Sequence, residues 1–180
     1  MSKNISDNAQ VSGNAWVSDD ALVSGNAQVS GDAQVYGNAW VSDNARVYGN
    51  AWVYGNARIS DNARISDNAQ ISDNAQISGD ARISDNARIS GDARIYGNAW
   101  VYSNAWVYGN ADISSNNDWF SFTYEGQTIT GYRSRNNDGY ELNINGRSVD
   151  RADIPSVNVV NLINELIGKF DKLEINNIPR

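Results

Sequence analysis

Six arginines, Arg46, Arg58, Arg64, Arg82, Arg88 and Arg94, stand at one position of a six-residue phrase, and no lysine occupies that position anywhere. Three of them, Arg46, Arg64 and Arg82, follow one another at intervals of eighteen residues, and Trp100 continues the series. A guanidinium grips phosphate or carboxylate through two parallel hydrogen bonds and stacks on planar neighbours. Tyr48 lies two residues beyond Arg46, and Tyr102 two residues beyond Trp100. If these residues meet, Arg46, Arg64, Arg82, Tyr48, Trp100 and Tyr102 form a candidate site for an anionic, planar ligand such as a nucleotide. The plainer alternative is a solvated face whose arginines are neutralised by turn Asp and Asn side chains.

Other chemistry is poorly supplied. The chain has no His and no Cys, which removes the commonest general base, the thiolate nucleophile and the usual transition-metal ligands. Asp19-Asp20 is the one adjacent acidic pair of the repeat, and Asp43, Asp61, Asp67, Asp73 and Asp85 are spread singly. All occupy turn positions where Asp is expected on backbone grounds, and their spacing builds no dedicated cation cage. The many repeat serines lack a base to activate them. The expectation is a protein that is not an enzyme, with no catalytic residues, no metal site and no cofactor.

The elements that must position the arginines follow from the phrase itself. From Ile5 to Asp112 the chain divides into eighteen uninterrupted hexapeptides, among them "VSGNAW" (11–16), "VYGNAR" (53–58), "ISDNAR" (59–64) and "ISGDAR" (77–82). A period of six sends the aliphatic residue around every face of a 3.6-residue helix, so helix is excluded. In a short strand such as Ala27-Gln28-Val29-Ser30, Ala and Val face one side and Gln and Ser the other. The next two residues, drawn from Gly, Asp and Asn with a single Ser, tolerate left-handed backbone angles and turn the chain. One such unit cannot bury its apolar face alone and must stack on copies of itself.

This spacing resembles the hexapeptide repeat of left-handed parallel β-helices. The resemblance implies triangular coils of three units each, with the aliphatic residue inside, a left-handed path and about six coils over residues 5–114. It also implies what is missing: the acyltransferases of that superfamily use a His, and the γ-class carbonic anhydrases hold zinc with His, and this chain has neither. The layout resembles bacterial and prophage hexapeptide-repeat proteins of unassigned chemistry. With three units per coil, the variable position sorts into three columns, one on each face. The first holds Leu22, Trp40, Arg58, Gln76 and Arg94. The second holds Gln10, Gln28, Arg46, Arg64, Arg82 and Trp100. The third holds Trp16, Gln34, Trp52, Gln70, Arg88 and Trp106. A flat Thr array of the ice-binding kind is absent from these columns.

Aromatics gather on two coils. Tyr96, Trp100, Tyr102, Trp106 and Tyr108 lie on the last, and Trp40, Tyr48, Trp52 and Tyr54 on the third. Aromatics with a polar edge suit interface centres. Trp40, Trp52, Tyr54, Trp106 and Tyr108 are therefore candidate interface residues, the last coil serving as a seat for the chain's own C-terminal module and the third for a subunit or partner.

Residues 115–180 form that module. "WFSFTY", "QTITGYRS" and "YELNI" read as antiparallel strands, with two-residue turns at Glu125-Gly126 and Asn145-Gly146 and a longer one over Asn136–Gly139. Pro155-Ser156 opens a helix whose Val159, Leu162, Ile163, Leu166, Ile167 and Phe170 form one apolar stripe. Lys169 and Lys172 suit its C-terminal end. Leu162, Leu166 and Phe170 are added to the interface candidates, because this small antiparallel β plus α module must cap a coil or join subunits.

Net charge is −7, which disfavours general nucleic-acid binding. "MSKNISDNAQ" has no apolar run, and no segment has the ~20 apolar residues of a membrane span. The expectation is a cytoplasmic, non-enzymatic binding protein acting through the outer faces of a β-helix. It would be a homo-oligomer, a trimer by the resemblance, and possible uses include a phage- or prophage-type inhibitor of a host component. The alternatives are a protein that sequesters nucleotide-like anions along the arginine column, and a degenerate relative of the acyltransferases.

Overall fold

The computed structural model of the chain describes residues 4–6, 8–135, 137–150, 152, 154 and 156–176. Eighteen two-residue strands, β1 (Gln10–Val11) to β18 (Asp112–Ile113), each pair a variable residue with the next aliphatic one. They build three six-stranded parallel sheets, and every pairing joins residues eighteen apart, as in Arg46↔Arg64↔Arg82 and Val47↔Ile65↔Ile83. The result is a parallel β-solenoid of six three-sided coils, roughly 29 Å long at about 4.8 Å per coil. β3, β6, β9, β12, β15 and β18 form the first face, β1, β4, β7, β10, β13 and β16 the second, and the remaining six strands the third.

The interior is a file of Ala and Val or Ile, sealed from Ala21 to Ile113. Each buried aliphatic contributes about 1.5–3 kcal/mol before chain entropy is subtracted. Ala9, Val11, Ala15 and Val17 of the first coil are only partly buried, because that end of the stack has no coil beneath it.

Each corner requires a residue at positive φ, and the sequence meets this with Gly, with Asp and once, at Ser103 (φ 62°), with Ser. Where the corner is Gly, the backbone of the next coil lies very close. A Cβ on Gly49 (φ +71°) would sit 2.8 Å from the Asp67 backbone nitrogen. Where the corner is Asp, the side chain compensates for its left-handed backbone. Asp61 (φ 58°) accepts a hydrogen bond from the Gly79 N–H at 2.9 Å, and Asp85 (φ 57°) one from the Ser103 N–H at 3.0 Å. Asp19, Asp43, Asp67 and Asp73 do the same one coil up. The neighbouring corner position carries amide ladders. Asn38 donates to Asn56 at 3.2 Å, Asn56 to Asn74 at 3.1 Å and Asn74 to Asp92 at 3.0 Å, where the chain of bonds stops because a carboxylate has no proton to pass on.

The module after the solenoid is a four-stranded antiparallel sheet, β19 (Trp119–Tyr124), β20 (Gln127–Ser134), β21 (Asn137–Ile144) and β22 (Arg147–Ser148), followed by α1 (Val157–Asn176). Both turn residues are at positive φ in Glu125-Gly126 (48° and 74°) and Asn145-Gly146 (49° and 78°), as a type I′ hairpin demands. The expected long turn over Asn136–Gly139 is shorter than the sequence suggests. β21 begins at Asn137, and the irregularity appears as a register shift between Arg133 and Ser134; Asn136 lies outside the described residues.

Phe120, Ile129 and Leu142 of the sheet form a second core with Ile154, Val159 and Ile163. The helix stripe is narrower than its spacing implies. Val159 and Ile163 are buried and Leu166 and Ile167 partly so, but Leu162 is 40 % exposed because it falls to the solvent side of the line through 159 and 163. Lys169 pairs with Glu165 at 2.7 Å on the exposed face, which holds the Glu165 carboxyl below its ordinary range. Pro155 and the side chains of Phe170 and Lys172 lie outside what is described.

Sheet and solenoid are joined tightly. Trp119 and Tyr132 belong to the solenoid core cluster, and Ala111 bridges Ser134. The last coil has no seventh coil to receive its amides, so side chains take that role. Trp100 N–H donates to Asn116 Oδ1 at 2.7 Å and Trp106 N–H to Thr130 Oγ1 at 3.2 Å, while Asn143 Nδ2 donates to the Trp106 carbonyl at 2.7 Å. Buried Asp118 gathers the backbone N–H groups and hydroxyls of Ser114 and Ser115 on one oxygen and meets Arg133 Nε at 3.3 Å with the other.

These two devices are separately testable. In chemical denaturation, Asp61→Ala is expected to cost about 1–2 kcal/mol more than Asp61→Gly, since both lose the acceptor but only Ala keeps the left-handed strain. Equal effects would mean that left-handed strain at this corner contributes little. Gly146→Ala drives a Cβ into the Trp106 ring, so amide hydrogen exchange in the last coil is expected to accelerate, with the middle coils unchanged.

Candidate functional site

The second face brings the arginine column together as a column. Arg46, Arg64 and Arg82 are exposed and in direct register on β7, β10 and β13, one coil apart, with Trp100 of β16 next above. Among the described residues, no carboxylate pairs with any of the three. The turn carboxylates that would neutralise them are engaged elsewhere: Asp67 accepts from the Ser66 hydroxyl at 2.8 Å and from the Asp85 N–H at 3.4 Å, and Asp85 accepts from Ser103. Like charges stacked in register repel.

Arg64 and Arg82 form the wall of a groove of about 300 Å³, closed below by Tyr48 and above by Trp100, with Ser66 and Ser84 beneath and Asp67 and Asp85 along the corner. Trp100 does not project freely. Its Nε1 donates to Ser84 Oγ at 3.2 Å, which lays the indole back towards the preceding coil. Arg46 continues the column below this groove. Tyr102 faces a different recess, at the seam with the module, where it packs against Trp100 (ring centroids 5.2 Å) and edge-on to Trp119 (5.3 Å).

The other faces differ in ways that bear on chemistry. On the first, Trp40 repeats the Trp100 geometry, donating from Nε1 to Ser24 Oγ at 3.1 Å, and the Arg58 guanidinium lies 5.9 Å from its ring. A groove of about 390 Å³ opens there beside Arg58, Ser60, Asp61 and Gln76, but it offers one arginine, already set over an indole. On the third, Trp52 is 40 % and Trp16 61 % exposed, while Tyr54 is half-buried by stacking on Tyr36 at 5.1 Å and 3°. Burial, with Tyr54 adding, raises the Tyr36 hydroxyl pKa above its ordinary value. Trp40, Tyr48 and Trp52 thus stand on three separate faces of the third coil and make no single patch.

The last-coil aromatics divide between seat and surface. Trp106 lies against Gly146 with the Arg88 guanidinium 4.6 Å from its ring, and Tyr108 meets Tyr132 edge-on at 5.9 Å. Burial pushes the Tyr132 hydroxyl well above the usual phenol range, and Tyr108 and Glu141 add to it. Trp100, Tyr102 and Tyr96 remain 40–45 % exposed. Leu162 is exposed on α1 and Leu166 is half-buried in the module's own core. Trp119 and Asn116 are the residues of this region that the sequence pattern did not single out. The former begins the alternating "WFSFTY" run, and the latter lies in a stretch that reads only as a break in the repeat.

The fold and the periodic faces define a parallel β-solenoid repeat protein. The YdcK beta solenoid repeat matches residues 9–25, 15–31, 39–55, 57–73, 75–91, 87–103 and 93–109, together just over half of the chain, and the protein belongs to this family. No curated protein and no solved structure matches it. Among the described residues, no helix is long and apolar enough to cross a membrane.

The stacked guanidinium groups carry a simple expectation for stability. At low ionic strength, Arg64→Ala is expected to raise the thermal midpoint slightly, by relief of about 0.5 kcal/mol or less of repulsion. The gain is expected to vanish in high salt. A lowered midpoint in both conditions would mean that the arginine is held by favourable contacts.

Proposed function

We propose that the protein is a non-enzymatic binding protein whose recognition surface is the second face of the solenoid, where Arg64 and Arg82, with Arg46 below, hold an anionic group between Tyr48 and Trp100. The observation that carries this reading is the in-register column of arginines without carboxylate partners among the described residues, in a chain whose net charge is −7. The backbone ladder fixes the arginine Cα positions one coil apart, so the ordering cost of binding falls on the side chains alone. The protein acts by sequestering its ligand or by presenting it. In a cytoplasmic setting of the phage or prophage kind suggested by the hexapeptide-repeat resemblance, such binding would serve to inhibit a host component.

A second reading is favoured by the third face, where Trp16 and Trp52 stay exposed with no module to cover them. There we propose contact with another copy of the chain, as in a trimer, or with a protein partner.

Titration calorimetry with inorganic pyrophosphate at low salt tests the first reading. Saturable binding is expected for the wild-type chain, and a loss of about tenfold or more for Arg64→Ala. Absence of binding by the wild type would end it. Sedimentation of Trp52→Ser tests the second, with a smaller species than the wild type expected and an unchanged one counting against it.

A further inference from the structure

The recess at the seam opens on the same indole as the arginine groove. It has a volume of about 440 Å³ and is lined by Trp100, Tyr102, Ser103, Asn116, Trp119 and Phe120. That size falls within the range of small-molecule sites. Trp100 is therefore shared: it closes the top of the groove of Arg64 and Arg82 and walls the recess above.

The two halves differ in chemistry. The lower half presents the guanidinium groups of Arg64 and Arg82, unpaired among the described residues, beside the corner carboxylates Asp67 and Asp85. The upper half is aromatic and rigid: Trp119 is 6 % exposed at the start of β19, Tyr102 is set edge-on against it, and Trp100 is tied to Ser84. Polar groups remain for the edge of a ring. Asn116 spends its Oδ1 on the Trp100 N–H, while its Nδ2 has no partner among the described residues, and neither has the Ser103 hydroxyl. Trp119 Nε1 is also buried without an acceptor, a state that costs about 1–3 kcal/mol unless a partner arrives. Because Arg82 and Trp100 are register partners, the arginine and aromatic halves are one coil, about 4.8 Å, apart.

We propose that groove and recess form one bipartite site for a nucleoside monophosphate, with the phosphate on Arg82 and Arg64 and the base in the recess among Trp100, Tyr102 and Trp119. The proposal rests on the reading of the second face as an anion-binding surface, and adds to it a ring-binding half built by the C-terminal module. Neither half alone defines the ligand. Arginines select charge, aromatic rings select a planar body, and their fixed separation selects a molecule that carries both. Phe120 and Trp119 supply the module's share of the recess wall.

Titration calorimetry with the four common ribonucleoside 5′-monophosphates, their parent nucleosides and inorganic phosphate tests this. At least one nucleotide is expected to bind about tenfold or more tighter than both its nucleoside and phosphate. Arg82→Ala is expected to reduce that nucleotide to the level of its nucleoside, and Tyr102→Leu to the level of phosphate, with wild-type circular dichroism in both variants. Should Tyr102→Leu fail to fold, quenching of wild-type Trp emission by the nucleotide, but not by phosphate, carries the same weight. Equal affinity for phosphate and every nucleotide, with no quenching, overturns the bipartite site and leaves the anion-binding surface standing. If neither phosphate nor any nucleotide binds, both readings fall together.

Discussion

Register is the constraint on which the rest of this molecule depends. Each strand donates and accepts across a fixed interval of eighteen residues, so every side chain has the same residue of its unit directly above and below it. The ladder holds only if each coil closes on itself after three corners. Each corner closes only if one residue adopts a left-handed backbone. Gly does so without strain, and Asp does so while its carboxylate binds the next corner's amide. The small residues of the repeat thus set the geometry, the aliphatic residues supply the driving force, and the outward position is left free to carry chemistry.

That freedom has a boundary at each end. A stacked solenoid is periodic and has no internal reason to stop, so its ends must be finished by something aperiodic. At the C-terminal end, Asn116, Thr130 and Asn143 complete the hydrogen bonds that a seventh coil would have made, and Asp118 holds the connecting segment in place. The module is therefore a chemical terminus as well as a steric lid. Its sheet uses both faces, one against Ile113 and its neighbours and the other against α1, which explains how a small piece without disulfides keeps a fixed position.

Much of this was legible in the residues. The hexapeptide phrase fixes the corners, the core and the columns by simple arithmetic, so the register of Arg46, Arg64 and Arg82 follows once three units make a coil. The hairpins at Glu125-Gly126 and Asn145-Gly146 were equally plain, because few residues accept two consecutive positive φ angles. What the sequence hid was contact between elements that obey different periods. The recess at the seam joins Trp100 and Tyr102 of the repeat to Asn116 and Trp119 beyond it, and no interval relates them. The exposure of Leu162 depends on how α1 lies on its sheet, which an i, i+3, i+4 pattern leaves open by about one residue in width. The turn near Asn137 is shorter than its composition suggests because a register shift, invisible in composition, absorbs the surplus residues.

The register also makes the molecule unequally tolerant of changes in length. Eighteen residues inserted between coils would lengthen the prism by one layer and leave each column aligned. Six residues would satisfy the core just as well, since every unit carries the same Ala and Val or Ile. Yet each outward residue beyond that point would move round to the next face, parting arginine from arginine and turning Trp100 away from the groove it closes. Stability and recognition thus read the same sequence with different rulers, one graduated in sixes and the other in eighteens.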